Sequence, residues 1–211
     1  MELILASNSP RRRHLLGLLG WDFRVVPADV DESLVPGESP SKYVLRLAES
    51  KARAVGDLAG AAAVVVAADT TVVDGDEILG KPVDAADAER MLRQLRSRVH
   101  QVLTAVAVMR SADGALLTDL CVTDVPMRDY TNEEMLAYIA SGDPLDKAGA
   151  YAIQHTGFHP AENLQGCYAN VVGLPLCHLV RIFRELGLPS DAGVPQVCQA
   201  VFGYQCNLQY G

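Results

Sequence analysis

Cysteine is scarce in this chain: five in 211 residues, an odd number at irregular spacing. That pattern makes no disulfide framework and points to reduced thiols and a cytoplasmic protein. Long hydrophobic runs are missing as well. The longest, Leu58 to Ala68, contains Gly60 and falls well short of a bilayer span. Met1 to Ala6 has neither a basic start nor a long apolar core, so no signal peptide is expected. Nor is positive charge in excess. Against 26 Asp and Glu stand 18 Lys and Arg, a net charge of −8, which argues against a nucleic-acid polymer as partner. A small anion held by a local basic cluster is not excluded. The chain shows no internal repeat and no low-complexity segment. With 49% hydrophobic and 21% charged residues it reads as an ordinary globular protein, one domain or two lobes around a cleft, with no membrane partner and a homodimer left open.

The stretch from Val64 to Pro82 organises the rest. Val64 to Ala68 is a short apolar run rich in β-branched residues, the pattern of a strand buried on both faces. Asp69 follows at its carboxyl end, where open α/β sheets bind ligands. Asp74-Gly75 is a hairpin signal that pairs Val72-Val73 with Ile78-Leu79 and returns Lys81 toward Asp69. A carboxylate and an ammonium brought together in this way suit an anionic, phosphorylated substrate. A surface salt bridge fits this stretch equally well.

Upstream, Leu3 to Ala6 reads as a first strand, and Ser9 as cap with Pro10 at the first position starts a helix that runs to near Gly20. Arg11, Arg12 and Arg13 occupy its first turn, where the helix dipole disfavours cations. Local stability does not explain them; a phosphate clamp at a helix N-terminus does. Val25 to Pro27 is a second strand, followed by the acidic loop Asp29 to Glu32, which suits either solvent or a divalent cation. A helix capped by Ser39 carries Lys51 on its apolar stripe of Val44, Leu47, Ala48 and Val55. There a lysine is expected to snorkel, unless it reaches the Asp69 end of the sheet.

Downstream, Asp84 caps a helix, and the runs Val99 to Met109 and Ala115 to Val125 form a hairpin around Asp113-Gly114. Thr131 and Glu134 make a capping box for a helix that ends near Gly142. The loop from Asp143 leads to a short strand ending at Gln154, and the last helix stops at Gly187. Cys198 and Cys206, with Cys177-His178, His155 and His159, lack the paired spacing of a zinc site. Packed thiols and loop histidines account for them.

Six pieces occur here in one order: Ala6 to Arg12, Glu49 to Lys51, Ala68 to Thr70, Gly80 to Pro82, Asp146 through Gln154, and Asn170 to Pro175. Together they resemble the Maf family of nucleoside triphosphate pyrophosphatases, over residues 3 to about 187. The resemblance implies a Maf / ITPase-like α/β fold, an elongated mixed β-sheet with flanking helices and two lobes around a nucleotide-binding cleft. Residues 1–189 would form that domain and residues 190–211 a C-terminal extension outside the pattern. The implied reaction converts a nucleoside triphosphate to the monophosphate and pyrophosphate, clearing non-standard nucleotides or restraining cell division. A nucleotide-binding regulator of septum formation without turnover is the alternative; retention of Asp69 beside the clamp favours the enzyme.

Carried over by position, Asp69 matches the proton acceptor. Ser7, Arg11, Arg12, Glu32, Lys51, Thr70, Lys81 and Gln154 match substrate-contacting positions. Glu32 and Asp69 would hold a divalent cation, Mg²⁺ or Mn²⁺. Because an ordinary aspartate is a weak base, that cation is expected to supply most of the activation of water. Arg11, Thr70 and Gln154 resemble the specificity markers of the dTTP and UTP branch. The Gln154 amide suits uracil and thymine, and can turn over to suit cytosine, so CTP stays open while purine triphosphates are expected to be poor. His14 stands where the family usually has glutamate, and His155 where it has glycine. The second departure leaves an altered base pocket open.

Overall fold

A computed structural model of the chain describes residues 1–189, 193–203 and 206. Among the described residues six strands form one mixed sheet. β1 (Glu2–Leu5) lies between β2 (Arg24–Val25) and β3 (Ala63–Asp74), parallel to both. β5 (Val99–Arg110) pairs antiparallel with β3 and with β6 (Ala115–Pro126), and β4 (Glu77–Leu79) pairs antiparallel with the end of β3. β3, β5 and β6 are 12 residues each, roughly 40 Å of strand, so they run the length of the sheet.

Alternation along β3 divides the core. Val65, Ala67 and Val73 face α2 (Pro40–Gly56), whose Val44, Ala48 and Val55 cover them. Val64, Val66 and Ala68 face the other way, against α1 (Pro10–Gly17) and α6 (Leu176–Glu185). A further cluster at the far end of the long strands joins Val72, Val102 and Val125 to α3 (Ala85–Leu95) and α4 (Asn132–Ala140). Among the described residues the remaining α-helices are α5 (Tyr168–Val172) and α7 (Val194–Phe202). Among the described residues no helix is long and apolar enough to cross a membrane.

The caps lie where the sequence places them. Ser9, Ser39, Asp84 and Thr131 each accept from a backbone N–H of the first turn they precede, and Glu134 completes the capping box. Val72 opposes Leu79 and Val73 opposes Ile78, as the Asp74-Gly75 turn requires.

Three expectations need correction. Asp69 is not at the end of a strand, because the ladder to β5 continues through Val73. The short second strand is Arg24–Val25, starting one residue and ending two residues earlier than expected. No strand ends at Gln154: Asp143–Asp146 and Ala148–Ala150 are 3-10 turns, and the Ala152 N–H donates to the Tyr138 hydroxyl at 3.0 Å rather than to a ladder.

Candidate active site

The site opens where β1 leaves the sheet. β1 stays paired with β3 only as far as Leu5 opposite Val66, and β4 joins the same edge from Val72 onward. Residues 67–71 therefore pair only on their β5 side among the described residues. β1 is parallel and β4 antiparallel to β3, so the chain beyond Leu5 and the chain beyond Leu79 run toward each other into this gap. Ser7 and Lys81 reach it from its two ends. The resulting cleft, about 600 Å³, is lined by all nine expected site residues: Ser7, Arg11, Arg12, Glu32, Lys51, Asp69, Thr70, Lys81 and Gln154.

Asp69 and Thr70 are neighbours on a strand and so leave it on opposite faces. Asp69 points to the α2 side, where the Lys51 Nζ donates to its Oδ1 at 2.7 Å. The same Nζ lies 2.6 Å from Glu32 Oε1. Lys51 and Asp69 are only 8% and 7% exposed. Lys51 thus does not snorkel: its stem is covered and its charge is held between two carboxylates. The ammonium that meets Asp69 comes from α2, whereas Lys81 stays exposed on the cleft rim.

Burial pushes the Asp69 carboxyl up from its usual range, and the charges of Lys51 and Arg12 only partly oppose this. For Glu32 burial also pushes upward, but the Lys51 hydrogen bond and charge, aided by Lys81 and Arg12, outweigh it and hold the carboxyl low. The two carboxylates on one ammonium are therefore poised apart. Glu32 is placed from α2 as well, since the Tyr43 hydroxyl donates to its backbone carbonyl at 3.0 Å.

On the other face, Arg12 donates through Nε to the Gly173 carbonyl and through Nη2 to Thr70 Oγ1, each at 2.9 Å. Its burial lowers the guanidinium pKa, though Asp69 opposes the effect. Gly173 has φ +123°, and a Cβ there would stand 3.4 Å from Thr70 Oγ1 and 3.5 Å from Arg12 Nε. Arg11 takes another direction, with Nη1 4.0 Å from Asp146 Oδ2. Asp146 and Asp143 are themselves engaged by Lys147 Nζ, at 2.6 and 3.0 Å.

Residues 2–186 match the family described as Maf-like protein. The chain belongs to the Maf family. Among its relatives, the dTTP/UTP pyrophosphatase of Anaeromyxobacter dehalogenans is 51% identical over 191 residues, 89% of this chain and 95% of that protein. The dTTP/UTP pyrophosphatase of Citrifermentans bemidjiense is 48% identical over 186 residues, 88% and 96% of the two chains. Among solved structures, the nucleoside-triphosphatase / dITP/XTP pyrophosphatase of Mycobacterium abscessus is similar at 16% identity and a TM-score of 0.42, covering 89% of this chain and 97% of its own.

Within this Maf protein the two unusual histidines keep clear of the cleft lining. His14 is exposed on α1. His155 accepts from the Phe158 N–H at 2.9 Å and packs edge-on against Tyr138. It shapes a turn beside Gln154, which itself lines the cleft. His178 pairs through Nδ1 with Asp119 at 2.9 Å, and among the described residues no group of three or more His, Cys, Asp or Glu could hold a metal. Sequence reasoning missed Tyr43, Thr104 and Asn170. Only Asn170, inside a quoted motif, gave any signal.

Proposed function

We propose that this chain hydrolyses nucleoside triphosphates, dTTP and UTP foremost, to the monophosphate and pyrophosphate. The observation that carries the reading is the Glu32–Lys51–Asp69 arrangement, which shares one cleft with Arg11, Arg12 and Lys81. One carboxylate raised by burial stands among cations suited to phosphate oxygens. The relatives at 51% and 48% identity support the choice of substrate.

Attack at the α-phosphorus needs an in-line water, a group to take its proton, and positive charge on the phosphate oxygens. Asp69 takes the proton. Burial raises its pKa above that of a solvated aspartate, which makes it the better base. Lys51 keeps Asp69 and Glu32 oriented and offsets their charge. Arg12, held by two hydrogen bonds, receives the phosphate oxygens together with Arg11 and Lys81.

Glu32 and Asp69 are hard oxygen donors converging on one cation, here the Lys51 ammonium. Two such carboxylates fit Mg²⁺ or Mn²⁺, which take their remaining ligands from substrate phosphates and water. When bound, the ion would lower the charge on the phosphates and the pKa of a coordinated water.

UTP labelled at its α-phosphate gives the test. The label is expected in UMP, with one pyrophosphate released per turnover. UDP and inorganic phosphate as products would overturn the assignment.

A further inference from the structure

Behind Arg12 runs a chain of hydroxyls whose direction is set by its far end. Thr104 Oγ1 lies 3.0 Å from the backbone carbonyl of Asn170, a group that can only accept. The Thr104 proton is therefore committed to that carbonyl. Thr70 Oγ1, 2.9 Å from Thr104 Oγ1, must donate to it and is left with lone pairs for Arg12 Nη2. The order is Arg12 to Thr70 to Thr104 to Asn170, each donating to the next.

Both acceptors that terminate Arg12 belong to one short segment. Gly173 takes Nε directly, and Asn170 takes Nη2 through the two threonines. That segment is pinned to the sheet by the Asn170 side chain, whose Nδ2 donates to the Val102 carbonyl at 2.9 Å and to Thr123 Oγ1 at 2.8 Å. Thr104 and Asn170 are fully buried, and Asn170 Oδ1 has no hydrogen-bond partner among the described residues. An unpartnered buried acceptor is costly, so stability alone is a poor reason for this network.

We propose that Thr104, through Thr70, is a positioning residue for Arg12: it touches no ligand, and it holds the guanidinium at the angle in which its remaining N–H groups meet the triphosphate. The proposal rests on the reading of Arg12 as a phosphate contact. Arginine recognises phosphate through the orientation of a planar fork, so loss of orientation costs binding even where the charge remains.

A double-mutant cycle tests it, with kcat/KM for UTP and the thermal midpoint measured for every protein. Thr104→Val removes the hydroxyl at nearly constant shape and should lower kcat/KM about tenfold, the scale of one charge-assisted hydrogen bond. Thr104→Ser should restore it to within about twofold. In an Arg12→Lys background, where no fork remains to be oriented, Thr104→Val should change kcat/KM by less than about twofold. Equal losses in both backgrounds, or no loss in the wild-type background, would overturn the relay while leaving the clamp intact. If Arg12→Lys itself keeps full kcat/KM, the reading of Arg12 as a phosphate contact falls, and the relay with it. Should Thr104→Val not fold, Thr104→Ala removes the same hydroxyl away from the cleft lining and the same cycle applies.

Discussion

The Lys51 ammonium lies 2.7 Å from Asp69 Oδ1, and both side chains are buried at the gap that β1 leaves in the sheet. One partner comes from the middle of a helix and the other from the middle of a strand. Neither can move far without disturbing the core that carries it.

Asp69→Asn should retain the fold and lose turnover by about 10²–10⁴-fold. Its stability should follow the raised pKa of Asp69. A carboxyl whose folded pKa exceeds its unfolded one favours folding below the unfolded pKa, and that contribution is lost as pH rises through the folded pKa. The variant should therefore match or exceed wild type in thermal midpoint at pH 7. The two should converge as pH falls toward about 4, which calorimetry across that range will show.

Lys51→Met leaves Asp69 and Glu32 facing each other without the ammonium. Removing one member of a buried ion pair costs about 3–5 kcal/mol, so the thermal midpoint should fall. The acid limb of the kcat/KM profile should move to higher pH, because the charge that lowers Asp69 is gone. An unmoved limb would show that Asp69 titrates independently of Lys51.

Gly173→Ala puts a methyl against Thr70 and Arg12 at a backbone angle that favours glycine. It should lower kcat/KM on triphosphates by at least about tenfold while the chain stays folded, since Arg12 loses its two anchors together. Steady-state kinetics and circular dichroism separate the two effects.

His155→Gly restores the residue usual in the family and removes a turn contact away from the cleft lining. The ratio of kcat/KM between UTP and dTTP should stay within about twofold, with a small loss of thermal stability. A changed ratio would return His155 to the base pocket.

Truncation after Leu188 should leave an active enzyme of reduced stability. The extension lies outside the family pattern, yet Val194 of α7 is buried in the core cluster and Phe202 packs on Tyr168. Residues 190–192, 204, 205 and 207–211 of that extension lie outside the described residues. Activity with a lowered thermal midpoint is the expected pair of results.

Much of the fold was legible because its signals are local. Ser-Pro pairs, the Asp74-Gly75 turn and the Thr131–Glu134 box each act within a few residues and formed as expected. The cleft was legible as a set of residues, but not as a set of bonds. Nothing local distinguishes Lys51 from Lys81 as the partner of Asp69, since that choice depends on how α2 crosses β3. Likewise Thr104 lies within an apolar strand pattern, and only the register to Thr70 reveals its use. The missing strand before Gln154 had a correct extended pattern at Tyr151, but its backbone is claimed by Tyr138.

The central claim is tested most directly by pyrophosphate release from dTTP, UTP, CTP, ATP, GTP and 7-methyl-GTP, with and without Mg²⁺ or Mn²⁺. The account predicts that dTTP and UTP lead in kcat/KM, that purine triphosphates trail them by at least about tenfold, and that activity needs the cation. Tight binding of UTP without pyrophosphate release, or 7-methyl-GTP ahead of both pyrimidine nucleotides, would contradict it.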